Sequence, residues 1–113
     1  MSQFLVLYTA PAAVIQEWMQ TPEEERKAQT DQMQGEWQTW MGTHASAVIT
    51  TAGAGKNKRV TKDGVNDVTN DIMLYSIVEA ESHEAAAKMF ENHTHLQIPQ
   101  AAIEVMPVNE LPM

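Results

Sequence analysis

Apolar positions along the chain fall into four short runs, with helical spacing between them. The first run, Gln3-Phe4-Leu5-Val6-Leu7-Tyr8-Thr9, is apolar on both parities and is closed by Pro11, which predicts a strand buried on both faces. Ala12 to Gln20 places Val14, Ile15, Trp18 and Met19 at i, i+1, i+4 and i+5, a short helical turn or a packed loop. Thr21-Pro22-Glu23-Glu24-Glu25 reads as a helix start. Thr21 can cap free N–H groups, Pro22 suits the first helical position, and three carboxylates favour the positive end of the dipole. Met33, Trp37, Trp40 and Met41 then form one stripe of a long helix that Gly42 can stop.

The second run, Ser46 to Thr50, predicts a short strand. Thr51 to Asn57, with Gly53 and Gly55, reads as a loop or hairpin end, and Lys58 to Lys62 as its returning arm. Asp63-Gly64 signals a tight turn, and Asn66 to Asp71 stays polar. Ile72 to Glu79 is the strongest strand pattern in the chain. Ser82 caps a helix whose inner stripe is Ala86, Met89 and Phe90. A loop follows over Asn92 to Gln100, then a last strand, Ala102 to Met106, ended by Pro107. Two strand–helix–strand units in series predict one α+β domain over residues 1–113, a ferredoxin-like split βαβ arrangement. Its four-stranded antiparallel sheet carries helices on one face. The strands are apolar on both faces, so the other face would expose an apolar patch too large for a soluble monomer. A homodimer through the sheet faces is the simplest cover, with either Leu5/Leu7 or Phe4/Val6/Tyr8 toward the second copy.

Composition narrows the function classes. Seven Lys and Arg against 15 Asp and Glu give a net charge of -8. Such a chain repels phosphate backbones and anionic lipid, which argues against nucleic acid and membrane surfaces as partners. The absence of cysteine removes disulfides, thiolate catalysis and thiolate metal sites. The opening apolar stretch, Phe4 to Tyr8, is too short for a signal or a membrane span. The expected location is cytoplasmic.

Several short motifs also stand in a familiar order. They are Phe4-Leu5-Val6-Leu7-Tyr8, Pro22-Glu23-Glu24, Asp63-Gly64, Met73-Leu74-Tyr75-Ser76-Ile77-Val78-Glu79, Ser82-His83-Glu84-Ala85 and Ile103-Glu104-Val105-Met106-Pro107-Val108. In that order they resemble the YCII-related, DGPF-containing family of small proteins. The resemblance covers nearly the whole chain and implies the dimeric α/β-barrel version of the ferredoxin-like fold. It fixes fold better than function, because no activity is established for most of that family. Asp63-Gly64-Val65-Asn66 stands where the family has Asp-Gly-Pro-Phe, and Met106-Pro107 where it has Val-Arg-Pro. Some members are thought to use a His/Asp pair whose His lies in the first long helix. No His falls between Glu23 and Met41, so that pair does not carry over.

His93-Thr94-His95 is the most chemical-looking triplet. Imidazole is the commonest metal ligand and a general base near neutral pH, and Glu91, Asp71 or His44 could complete a site. Two His make an incomplete ligand set, and His after a helix also caps carbonyls. Asp63, Asp67 and Asp71 lack the oxygen spacing, central Gly and final Glu of a calcium loop. Gly53-Ala54-Gly55-Lys56 lacks the length and the helix of a phosphate loop. Lys56, Lys58, Arg59 and Lys62 could form a local anion site or simply a solvated hairpin arm. Trp18, Trp37 and Trp40 with Met33 and Met41 could line an apolar cleft or the core.

The first functional reading is a small homodimer that binds a small organic molecule between helices and sheet, with Tyr75, Trp37, Trp40 and His93 around it. The alternative is an enzyme of the same fold that moves a proton or eliminates a group on an aromatic or carbonyl compound. In it His95 is the base, Asp71 its orienter and Tyr75 a donor. The two readings share the expectation that His95 sits at the edge of a pocket with Tyr75 or Asp71. A third reading is a structural or interaction module. None of them requires a metal or a cofactor.

Overall fold

The computed structural model describes residues 1–112. Strand β1 (Ser2–Thr9) is followed by helices α1 (Ala12–Met19) and α2 (Glu23–Thr43) and by strand β2 (Val48–Gly53). Two short strands, β3 (Lys58–Thr61) and β4 (Gly64–Asp67), precede the long strand β5 (Ile72–Ala80). Helix α3 (His83–Lys88), a single 3-10 turn (Thr94–Gln97) and strand β6 (Ala102–Pro107) complete the chain. The four main strands pair antiparallel in the order β2-β5-β1-β6. The fold is therefore α+β and ferredoxin-like: β1 and β2 flank β5 as one split unit, and β6 adds beside β1.

Strand parity decides which side is core. Phe4, Val6 and Tyr8 are buried on β1, and their cross-strand neighbours Val78 and Ser76 are buried with them. Ala86 and Phe90 from the α3 region, with Trp37 and Trp40 of α2, close over this face. Leu5, Leu7, Tyr75 and Ile77 have the opposite parity and are only half-buried. Of the two faces open in the sequence, Leu5/Leu7 is the one without helices.

Local rules explain most element ends, and the departures have physical causes. Ser82 caps α3 by accepting a hydrogen bond from the Ala85 N–H at 3.0 Å. Thr21 does not cap α2; Pro22 occupies the cap position, and the Thr21 carbonyl instead accepts a bond from Arg26 Nε. α2 runs one residue past Gly42, because a solvent-facing Gly permits a stop but does not impose one. β2 lies at Val48–Gly53 instead of Ser46–Thr50, since pairing with β5 sets its register. Lys58–Thr61 does not return along β2. It pairs with Gly64–Asp67 in a separate two-stranded ribbon, all eight of whose strand residues are exposed.

That ribbon and the exposed helix surfaces leave an open shape. The accessible surface is 8085 Å², whereas a compact monomer of this mass exposes about 6,200 Å². The radius of gyration is 16.1 Å, against about 13 Å for a compact chain of this length.

Phe90 is 3% exposed and stacks on Trp40 with ring centroids 5.0 Å apart. Phe90→Ala is expected to lower the unfolding free energy by about 3–5 kcal/mol. Met19→Ala, at a side chain 53% exposed, is expected to change it by less than about 0.5 kcal/mol. Urea denaturation of the two variants checks both values.

Candidate functional site

After α3 the chain turns at Asn92, whose positive φ of 62° is one that Asn tolerates better than most residues. The turn drops His93, Thr94 and His95 onto β1, and all three are buried. His93 sits in a cage of rings. Trp37 and Trp40 lie 4.5 and 4.7 Å away in edge-on geometry, and Tyr8 and Phe90 at 5.6 and 5.9 Å. Its Nδ1 accepts a hydrogen bond from the His95 N–H at 3.0 Å and so caps the 3-10 turn. An accepting Nδ1 puts the proton of the neutral ring on Nε2. Nε2 is the buried side-chain nitrogen without a hydrogen-bond partner among the described residues. Burial, helped by the charges of His95 and His44, lowers the His93 pKa to about 4.

His95 Nε2 donates to the Thr9 carbonyl at 2.9 Å, which leaves Nδ1 as the basic nitrogen of the neutral ring. Burial lowers this pKa too, and the bond to the Thr9 carbonyl opposes the shift. Asp71 does not orient the ring. It is exposed at the end of β5, where its backbone carbonyl accepts from the Ala10 N–H. No hydrogen bond joins its carboxylate to His95 among the described residues. Tyr75 points away from the helices, on the Leu7 side of the sheet. The expected cluster of His95, Asp71 and Tyr75 is not assembled, because a one-residue change of parity in β5 moves a side chain to the other face.

What does converge on His93 and His95 is Tyr8. Its hydroxyl bonds Ser76 Oγ at 2.8 Å, and Ser76 Oγ bonds Thr51 Oγ1 at 2.7 Å, a chain of hydroxyls across three strands that is buried at Tyr8 and Ser76 and half-buried at Thr51. Burial raises the Tyr8 pKa, and the bond to Ser76 opposes that shift. Ser76 has a signal in the sequence: it is the polar residue between Leu74 and Val78 on the inward parity of β5.

A cleft of about 650 Å³ opens beside this cluster. α1 contributes Val14, Ile15 and Trp18, and α2 contributes Met33 and Trp37, with Met73 and the Ile98-Pro99 segment completing the apolar lining. The polar lining consists of Thr30 and the amides of Gln29, Gln32, Gln34 and Gln97. Trp18 Nε1 donates to Gln29 Oε1 at 2.7 Å and ties α1 to α2. Glu36 ties α2 to the 3-10 turn by accepting bonds from Thr94 and Gln97, and it also accepts one from Gln32 on α2 itself. These donors, Thr94 foremost, hold its carboxyl below the usual carboxylate range. Nothing in the sequence singles out Glu36, because two of its donors lie about 60 positions downstream.

Of the expected ligand-binding residues, Trp37 lines the cleft. Trp40 does not: its Nε1 donates to the Met89 carbonyl, and it packs with Phe90 behind the wall. His93 is likewise behind the wall. Lys56, Lys58, Arg59 and Lys62 belong to the exposed ribbon and its root, with Lys58 2.6 Å from Asp67. No group of three His, Asp or Glu side chains is placed to hold a metal among the described residues. No helix among them is long and apolar enough to cross a membrane.

No protein-family model matches the sequence, and no curated protein matches it. The fold is similar to that of 5-chloro-2-hydroxyhydroquinone dehydrochlorinase from Burkholderia phenoliruptrix AC1100, solved with 2,5-dihydroxybenzoquinone. The TM-score is 0.50 at 11% identity, over 92% of this chain and 91% of that one. An unknown protein from Galdieria sulphuraria gives a TM-score of 0.42 at 10% identity, over 99% of this chain and 47% of that one. At such identities the likeness is one of fold.

The buried imidazoles make stability depend on pH. An unfolded imidazole titrates near 6.5 and native His93 near 4, so between these values the unfolded chain binds the additional proton. Stability from neutral His93 is therefore full above about pH 6.5 and declines as pH falls to about 4, by on the order of 3 kcal/mol. His95 acts in the same direction. His93→Phe is expected to flatten this part of the pH dependence, measured by urea unfolding at pH 4 to 7. An unchanged slope in the variant would contradict the burial account.

Proposed function

We propose that this chain binds a small, planar, uncharged organic molecule in the cleft between α1, α2 and the end of the sheet. The observation that carries the reading is the lining itself. Two indole rings, Met33 and Met73 supply apolar contact, amide side chains supply hydrogen bonds, and no charged side chain among the described residues lines the space. A volume of about 650 Å³ lies within the range of small-ligand sites. The lining offers no general base, and His95 lies outside it, so the reading is one of binding rather than catalysis. A structure of similar fold solved with a planar quinone is compatible with it. Membership of the YCII-related family and a cytoplasmic location are parts of the same proposal. They rest on the motif order and on the charge and composition.

The proposal includes a homodimer through the helix-free sheet face. Leu5, Leu7, Tyr75, Ile77 and Met106 share that face and are half-buried in the single chain.

Two measurements test these readings. Calorimetric titration with 2-naphthol is expected to give a Kd below about 1 mM, or about −4 kcal/mol. Met33→Trp, which fills the cleft, should weaken binding by at least about tenfold, roughly 1.4 kcal/mol. Equal binding by the variant would place the site elsewhere. In light scattering the unmodified protein should be a dimer at micromolar concentration, and Leu7→Lys a monomer or an aggregate, because a buried unpaired charge opposes association. A monomeric unmodified protein would overturn the dimer.

A further inference from the structure

Three amide side chains on the rim of the cleft are turned in a fixed sense. Gln29, Gln32 and Gln97 all line the cleft, and each bonds a neighbour that can play only one hydrogen-bonding role. The Trp18 indole N–H only donates. It meets Gln29 at 2.7 Å, so the atom it meets is Oε1 and the NH2 end of that amide is left for a ligand. Glu36 imposes the opposite sense. Its carboxyl is ionised at neutral pH, held so by Thr94 foremost, and a carboxylate only accepts. Gln32 and Gln97 therefore turn their nitrogen ends to it, at 3.1 and 2.5 Å, and their oxygen ends away.

Helix geometry separates the two senses. Gln29, Gln32 and Glu36 stand at i, i+3 and i+7 on one face of α2. Seven residues advance about 10 Å along a helix axis. The donor accordingly lies at the Trp18 end of the cleft, and the carboxylate that orients the acceptors lies beside the 3-10 turn. Reversing any of these amides breaks its bond to Trp18 or Glu36, which costs affinity for a ligand of the wrong pattern.

We propose that the cleft selects a hydroxyaryl ketone: a planar, uncharged, fused-ring molecule with a carbonyl at one end and a hydroxyl at the other. The Gln29 NH2 group donates to the carbonyl, and the hydroxyl donates to the side-chain oxygens of Gln32 and Gln97. The inference rests on the small-molecule reading given above and adds the chemical class and orientation of the ligand.

Calorimetric titration with three probes tests it. The first, 6-acetyl-2-naphthol, carries both groups; 2-acetyl-6-methoxynaphthalene lacks the donating hydroxyl, and 2-naphthol lacks the carbonyl. The first probe is expected to bind about three- to tenfold tighter than either of the others. Gln29→Leu should remove its advantage over 2-naphthol and keep its advantage over the methyl ether. Gln32→Leu/Gln97→Leu should do the reverse. All three amides are exposed, and a ratio of two affinities measured on one variant does not register a general loss of fold. The opposite crossing would overturn the orientation. Advantages that neither variant alters would overturn the amides as their source. Equal binding of the three probes by the unmodified protein overturns the selection of a hydroxyaryl ketone and leaves the apolar cleft standing. Binding of none of them overturns selection and cleft together.

Discussion

The structure depends most on the burial of Tyr8. Its ring is wholly buried, and it touches the sheet, α2 and the turn after α3 at once. Each ring pair around it contributes roughly 0.5–1.5 kcal/mol beyond area burial. The hydroxyl is the constraint. A phenol this deep needs a hydrogen-bond partner, and Ser76 supplies it at 2.8 Å. Ser76 in turn bonds Thr51, so one buried oxygen fixes how β2, β5 and β1 align.

The cleft follows from the same centre. Trp37 faces Tyr8 on one side and lines the cleft on the other, so the core sets where the cleft wall stands. Glu36, the preceding residue on α2, anchors the opposite rim through Thr94 and Gln97. α1 is held to α2 by the bond from Trp18 to Gln29, close to the cleft. The cleft therefore lies between elements that few bonds join, and such regions open at lower free energy than the core does.

His93 and His95 show how a chemical-looking motif can serve the fold. Each ring spends one nitrogen on the backbone: His93 caps the turn, and His95 ties it to the end of β1. Both are held toward the neutral form by burial. A neutral imidazole suits a base, but general-base work needs hydrogen-bond reach to the substrate, and neither ring lines the cleft.

The sequence by itself determined the order of the four main strands and of α2 and α3, the ferredoxin-like class, the Ser82 cap and the doubly apolar strands, because these rest on local periodicity and end chemistry. It also picked out Trp18, Trp37 and Trp40 with Met33 and Met41 as lining for a cleft or the core, and the structure puts Trp18, Met33 and Trp37 on the cleft. It could not say which parity of β1 faces the helices, because both are apolar; the packing of Trp37, Trp40 and Phe90 against Tyr8 decided that. Nor could it foresee that Tyr75 and His95 lie on opposite sides of the sheet, or that Glu36 meets Thr94 and Gln97. Those relations join residues 20 to 61 positions apart, and only the tertiary pairing of strands and the docking of α2 bring such distant positions into register.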